Sequence, residues 1–506
     1  MWQLKKEQNV PIYRSIMEMI VQKIQTGELL PGEKIPSERK LAEYLSVNRS
    51  TVVHALDELV DLGWIVRKRG SGTIVNEGKW GVMMTPRTDW HRYLEQNVFK
   101  QVHPLVAEIE SRAKQNLPTD LDMYTGELPL DLIPSFDFPA LNWKQFLKEE
   151  AQDELGYFPL RKEIQAITAT EYQLHLPSES LLLTSGAQQA LFLVLQVLLR
   201  QGDSVAVEDP SFFYALPIFQ AAGVRLFGVP MTEEGIDLEA LEQTIRQHRI
   251  KMVMVNPSFQ NPTGTVMPLR KREQLVKVCQ TYQVPILEDD VFGQLSFIPK
   301  TEIPPLKKLD PDNVLYIGSL SKILGSTTKI GWLSAPASVT KQIAEARKMM
   351  DVSLSIFPQM LAKMAIEDPS FSEKITLLNK QVEQRATDVY QVFKSLPEWE
   401  VSPVKGGFYL WAHWRQGALK PEDWQVFLRE GVLVAPSVAF SEKRGSIRLN
   451  CSRISPEEMP LFCERMVRIT RQLSENRQTK IEQDVYKRQV LGLRKISCRQ
   501  FHNRLV

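Results

Sequence analysis

Cysteine is scarce: four residues in 506, Cys279, Cys451, Cys463 and Cys498, with neither a repeated metal-ligand spacing nor the density of a disulfide framework. A reducing, cytoplasmic setting is the expectation. Net charge is equally small, +2 from 62 basic and 60 acidic side chains. A chain so balanced cannot hold a polyanion through its average charge, so any contact with nucleic acid must come from a local patch. Long apolar runs are missing too. The longest, Ala190 to Leu199, is interrupted by Gln196 and too short to cross a bilayer, and the opening residues lack the apolar centre of a signal peptide. No internal repeat or low-complexity tract is evident. What the chain does have is length and a 43% hydrophobic content, enough for two or more packed domains.

From residue 117 to about 345, apolar strands alternate with amphipathic helices, as a mostly parallel sheet with helices on both faces requires. Four strand ends carry chemistry. After Val314 to Ile317 a small-residue turn delivers Lys322, with Ser319 and Ser321 beside it and Lys329 further on. A lysine amine held dry and deprotonated condenses with an aldehyde. Leu181 to Thr184 runs into Ser185-Gly186-Ala187, where a helix begins, and its first free N–H groups make an anion site. Met252 to Val255 leads to Asn261, whose amide can donate to a phenolate oxygen. Ile286-Leu287 leads to Glu288-Asp289-Asp290, a carboxylate cluster able to pair with a protonated ring nitrogen. Taken singly, each has a plainer reading: a loop lysine, a glycine helix start, an Asn-Pro turn, a solvated acidic face. Four in order, all at strand ends, favour a pyridoxal phosphate site.

The arrangement resembles the fold-type I pyridoxal phosphate family, the class I/II aminotransferases. The resemblance implies an α/β large domain with a small α+β lobe, Lys322 as the internal aldimine lysine, Asp289 as partner of the pyridine nitrogen and Asn261 as donor to the 3-hydroxyl. Phosphate contacts fall to Gly186, Ala187, Ser319 and Lys329. Glu208-Asp209-Pro210-Ser211-Phe212 is similar to the stretch whose aromatic, here Phe212, stacks on the ring. Ile447-Arg448-Leu449-Asn450 is similar to the segment whose arginine, here Arg448, grips a substrate carboxylate in a bidentate fork.

At the N-terminal end the apolar spacing of Ile12, Ile16, Ile20 and Ile24 predicts a helix stopping at Gly27. Ser37 is placed to cap a second helix, and a third opens at Arg49-Ser50-Thr51 after a short turn and ends at Gly63. Trp64 to Val75 reads as strand, basic glycine tip, strand. This is a helix-turn-helix with a wing, and Arg67, Lys68 and Arg69 are expected to concentrate at the wing's tip. The stretch Pro31 to Val52 resembles the winged-helix signature of the GntR regulators, over roughly residues 9–76. The resemblance implies contacts to double-stranded DNA from Arg39, Asn48, Arg49, Ser50, Arg69 and Gly70.

A linker is expected over 77–88, followed by an aminotransferase-like domain over 89–475, its large part reaching about 345 and its small lobe covering 346–475. Asp484 to Gln489 resembles the translation of a transposon end used in preparing sequencing libraries, and 484–506 reads as an artefactual tail. The fusion as a whole resembles the MocR group of regulators, which implies a head-to-tail homodimer on an operator and an amino acid or related amine as effector. Three departures from the aminotransferase pattern weaken turnover: Phe292 where a tyrosine is usual, Lys329 for an arginine, and no Tyr-Gly-x-Pro run before Leu155. A pyridoxal phosphate sensor is therefore the first expectation, a competent aminotransferase with a DNA-binding appendage the second, and a DNA-binding dimer with a vestigial pocket the third.

Overall fold

The structure is a computed structural model that describes Trp2 and residues 11–26, 28–68, 72–76, 103–139, 142–149, 153–351 and 353–477. The chain divides into two compact units, Met1–Lys100 and Gln101–Val506.

In the first unit, isoleucines at helical spacing give α1 (Ile12–Gln25). Ile16, Ile20 and Ile24 are fully buried, while Ile12 at the helix start is exposed. Ser37 caps α2 (Glu38–Leu45), its hydroxyl accepting from the Lys40 amide. Ser46 then adopts a left-handed conformation that turns the chain, and the Asn48 side chain accepts from the Ser50 amide to start α3 (Arg49–Asp61). Val52, Ala55, Leu56 and Leu59 on α3 share one core with α1, Leu41, Leu45, Ile65 and Val75. Gly63, at φ +76°, ends α3 and feeds the antiparallel hairpin of β1 (Ile65–Lys68) and β2 (Gly72–Val75). The three helices and the two strands of the wing are therefore as the sequence predicts. Arg69 and Gly70, expected at the wing's tip, lie outside the described residues, as do 77–88 and 484–506.

The second unit is built on an eight-stranded sheet. Its strands are β4 (Leu181–Thr184), β5 (Ser204–Asp209), β6 (Arg225–Thr232), β7 (Gly235–Ile236), β8 (Met252–Val255), β9 (Ile286–Asp290), β10 (Val314–Ser319) and β11 (Gly331–Ser334), with β3 (Leu121–Asp122) outside it. The order is β4-β11-β10-β9-β8-β5-β6-β7, and only β11 and β7 run against the rest. Strands such as Leu181-Leu182-Leu183 and Val205-Ala206-Val207 are continuous apolar runs because both faces of the sheet are covered. Alternate side chains go to opposite sides. Val205, Val207, Met252, Met254 and Leu287 pack with helices Ala187–Leu198 and Ala337–Met350, whereas Ala206, Val253, Val255 and Ile286 pack with Leu238–His248 and Leu269–Tyr282.

The small lobe has a four-stranded sheet of β12 (Trp399–Val401), β13 (Tyr409–Trp414), β16 (Ser446–Asn450) and β15 (Ala435–Pro436), covered by helices Phe371–Lys394 and Pro421–Arg429. The sequence reading places 117–123 with the large part, but the structure pairs β3 with β14 (Val432–Leu433) and buries Leu121 and Met123 in the lobe's core. Two residues have no periodicity to read, and their partner strand lies far along the chain.

Candidate cofactor and nucleic-acid sites

The parallel strands end on one side of the sheet, and there a cavity of about 350 Å³ collects residues from five strand ends. Gly186, Ala187, Phe212, Asn261, Asp289, Ser319, Lys322 and Lys329, all expected at a cofactor, line it together. Ligand sites in open α/β sheets form in this place.

The anion end is made by the helix Ala187–Leu198, capped by Gly186 at φ +87° with open space where a side chain would sit. Its first N–H groups have no partner within the helix. A Cβ on Gly331 would come within 2.5 Å of the Gly186 backbone, so glycine at 331 is what lets β11 pass beneath this helix start. Gly331 pairs with Thr184 on one side and Ser319 on the other, which brings the ends of β4 and β10 to one spot. The Ser319 hydroxyl is engaged inside the protein, donating to the Ile330 carbonyl at 3.0 Å and accepting from the Ser321 amide at 3.1 Å. Lys329 is exposed and left-handed at φ +44°.

At the far end Asp289 is buried, and its Oδ1 has no hydrogen-bond partner among the described residues. Burial pushes its carboxyl up to about 7, against the opposing pull of Lys322. An orphaned buried carboxylate oxygen is costly unless a donor meets it, which a pyridinium N–H would do. A chain of hydrogen bonds fixes this residue from behind. Asn256 Nδ2 donates to the Asp289 carbonyl at 2.6 Å, and the Asn256 amide donates to Glu208 Oε2 at 3.1 Å. Burial raises Glu208 to about 8.

Lys322 Nζ donates to the Gly126 carbonyl at 2.7 Å and lies 5.6 Å from the ring centres of both Phe292 and Phe408. Phe292 has no hydroxyl to offer and is held edge-on to Phe408 and Tyr409. Asn261 accepts at Oδ1 from Arg448 Nη1 at 3.0 Å, which leaves its NH2 to donate elsewhere, and its carbonyl accepts from the Phe212 amide at 3.0 Å. Arg448 is buried between Tyr409 and Phe440, at 4.1 and 4.7 Å from their ring centres, and also donates to the Tyr124 carbonyl. Burial lowers its affinity for its proton from the usual arginine value. Sequence reasoning missed Tyr409, Asn256 and Glu208 as parts of the site. The signals were weak: a tyrosine in an aromatic strand, an Asn-Pro, and a glutamate before the Asp-Pro.

The residues present thus fit pyridoxal phosphate: an amine, an orphan acid, an amide donor and an anion-binding helix start in one cavity. In the first unit, Arg39 on α2 and Asn48, Arg49 and Ser50 at the start of α3 are all exposed. Arg49 pairs with Glu38 at 3.0 Å. Arg67, expected among the tip cations, instead pairs with Asp57 at 2.7 Å and Glu38 at 3.4 Å, because its strand position turns it toward the helices. Among the described residues no helix is long and apolar enough to cross a membrane.

Comparison with known proteins covers both units. Residues 143–466 match the model for aminotransferase class I and II, and residues 12–75 match that of bacterial regulatory proteins, gntR family. The HTH-type transcriptional regulator YisV of Bacillus subtilis is 32% identical over 467 residues, 90% of this chain and 95% of YisV. The HTH-type transcriptional regulator NorG of Staphylococcus aureus is 25% identical over 445 residues, 84% and 97% of the two chains. The crystal structure of a multiple substrate aminotransferase from Thermococcus profundus superposes with a TM-score of 0.68, covering 77% of this chain and 100% of that one at 21% identity, which shows the fold.

Proposed function

This chain belongs to the class I and II aminotransferase family and carries a gntR-family winged helix ahead of that domain, as MocR-type transcriptional regulators do, and from that premise we propose that it regulates transcription by sensing an amine through pyridoxal phosphate. The observation that carries the reading is the meeting of Lys322, the orphan Oδ1 of Asp289, Asn261 and the Gly186–Ala187 helix start around one cavity. Pyridoxal phosphate, when bound, supplies an aldehyde carbon over which a lysine and an incoming primary amine compete. Lys322 is the competing amine, with the Gly126 carbonyl as an acceptor for its ammonium. Asp289 would hold the ring nitrogen's proton, Asn261 would donate to the phenolic oxygen, and Lys329 with the helix start would neutralise the phosphate. Phe212 would cover one ring face, and Arg448 would take an effector carboxylate.

Sensing rather than turnover is supported by Phe292, which leaves the phenolic oxygen without a hydroxyl partner, and by Lys329, a point charge where a guanidinium fork would orient the phosphate. Arg39, Asn48, Arg49, Ser50, Arg69 and Gly70 would contact a double-stranded operator, with two chains in a head-to-tail dimer in the cytoplasm. An effector shifts DNA affinity only by its differential affinity for the two dimer arrangements. The test is direct. Purified protein should show a visible absorbance band that Lys322→Ala abolishes, and an amine that alters the band should change operator affinity. A colourless protein whose operator binding ignores every amine would overturn the reading.

A further inference from the structure

Among the described residues, four charged residues line the cavity: Lys322, Lys329, Asp289 and Glu127. The reading above gives the first three to the cofactor and leaves Glu127 without a task. Its place is fixed by the backbone on either side. The preceding carbonyl, of Gly126, accepts from Lys322 Nζ at 2.7 Å, and the Glu127 carbonyl accepts from Asn450 Nδ2 at 2.9 Å. The residue is therefore anchored beside the nitrogen that an amine effector would displace. Glu127 is exposed, and its carboxylate makes no ion pair or hydrogen bond among the described residues. Arginines that contact the same stretch of chain are held by other carboxylates: Arg453 by Asp122 and Arg385 by Asp131.

We propose that Glu127 recognises a second cationic group on the effector, so that the site selects amino acids with a basic side chain over neutral or acidic ones. The inference rests on the reading of the cavity as an amine sensor and adds the effector's chemical class. An unpartnered carboxylate on a residue of the cavity wall gains a charge-assisted hydrogen bond from a distal ammonium and repels a distal carboxylate. Its exposure limits the gain to about tenfold in affinity. Salt screens such an interaction, so the preference shrinks as ionic strength rises.

The experiment titrates the full-length protein, with pyridoxal phosphate bound, against L-ornithine, L-norvaline and L-glutamate. These amino acids offer a cationic, a neutral and an anionic side chain of similar length. Visible absorbance and titration calorimetry are read in parallel. The expected result is ornithine binding about tenfold tighter than norvaline and glutamate weakest, with Glu127→Gln narrowing the ornithine preference to within about twofold and Glu127→Asp retaining its sign. Equal or weaker binding of ornithine by the native protein, or its preference surviving Glu127→Gln, overturns the inference while leaving amine sensing intact. Failure of all three amino acids, and of simple primary amines, to bind would overturn the sensor reading and this inference with it.

Discussion

Arg448 Nη1 donates to Asn261 Oδ1 at 3.0 Å, joining the small lobe's β16 to the loop after β8 of the large sheet. The bond fixes which way the Asn261 amide faces. It also couples the group that would receive an effector carboxylate to the group that would touch the cofactor's phenolic oxygen. Arg448→Lys loses the fork and the packing between Tyr409 and Phe440. It should weaken an α-amino acid by at least about tenfold while weakening the corresponding decarboxylated amine far less. Absorbance titration with alanine and ethylamine measures the ratio.

Asp289 is buried at a cost to the unliganded fold. Its burial raises its pKa to about 7 and leaves Oδ1 without a donor. Asp289→Asn removes the charge at nearly constant volume. It should raise the melting temperature of cofactor-free protein at pH 8 by a few degrees and lower pyridoxal phosphate affinity by at least about tenfold. Melts of the stripped protein and equilibrium binding of the cofactor report the two effects.

Glu208 gives a pH dependence of defined sign. Its folded value, about 8, stands above the ordinary 4.5 of the unfolded chain. Between those values the native state keeps a proton that the unfolded state has lost, so this group's contribution to stability falls as pH rises and levels off above 8. Glu208→Gln keeps an accepting oxygen for the Asn256 amide and removes the titration. From pH 5.5 to 8.5 the native protein should lose about 3 °C more in melting temperature than the variant.

Glu38 holds Arg49 and Arg67 through exposed or half-exposed ion pairs, which add under about 1 kcal/mol to stability. Glu38→Gln should therefore leave folding nearly unchanged, tighten non-specific DNA binding and steepen its salt dependence by about one phosphate contact. Arg49→Ala should weaken operator binding by about 1–3 kcal/mol. Fluorescence anisotropy over a salt series separates the two variants.

The sequence was most legible where structure is local. Ser37, Asn48 and Gly63 mark their helix ends, and unbroken apolar runs mark the buried strands with their chemistry in the residues that follow. What it did not carry were contacts made across the chain. Arg67 swings back to Asp57, the Glu208–Asn256–Asp289 relay spans three strand ends, and Tyr409 slides beneath Arg448. None of these has a period or a spacing, because each depends on which strands the sheet sets side by side. Gly331 is the intermediate case: a glycine is visible in the sequence, but its reason, the backbone of Gly186 2.5 Å from a would-be Cβ, belongs to the sheet order.

Each of the two compact units encloses its own apolar interior, the first around Ile16, Leu41 and Leu56 and the second on both faces of the large sheet. Calorimetry can therefore record two heat-absorption peaks from one polypeptide. A cofactor bound to the second unit would raise that unit's melting temperature by mass action. Any displacement that also reached the peak of the first unit would report the coupling between a ligand held on the large sheet and the winged helix, and so bound what such a ligand could do to DNA affinity.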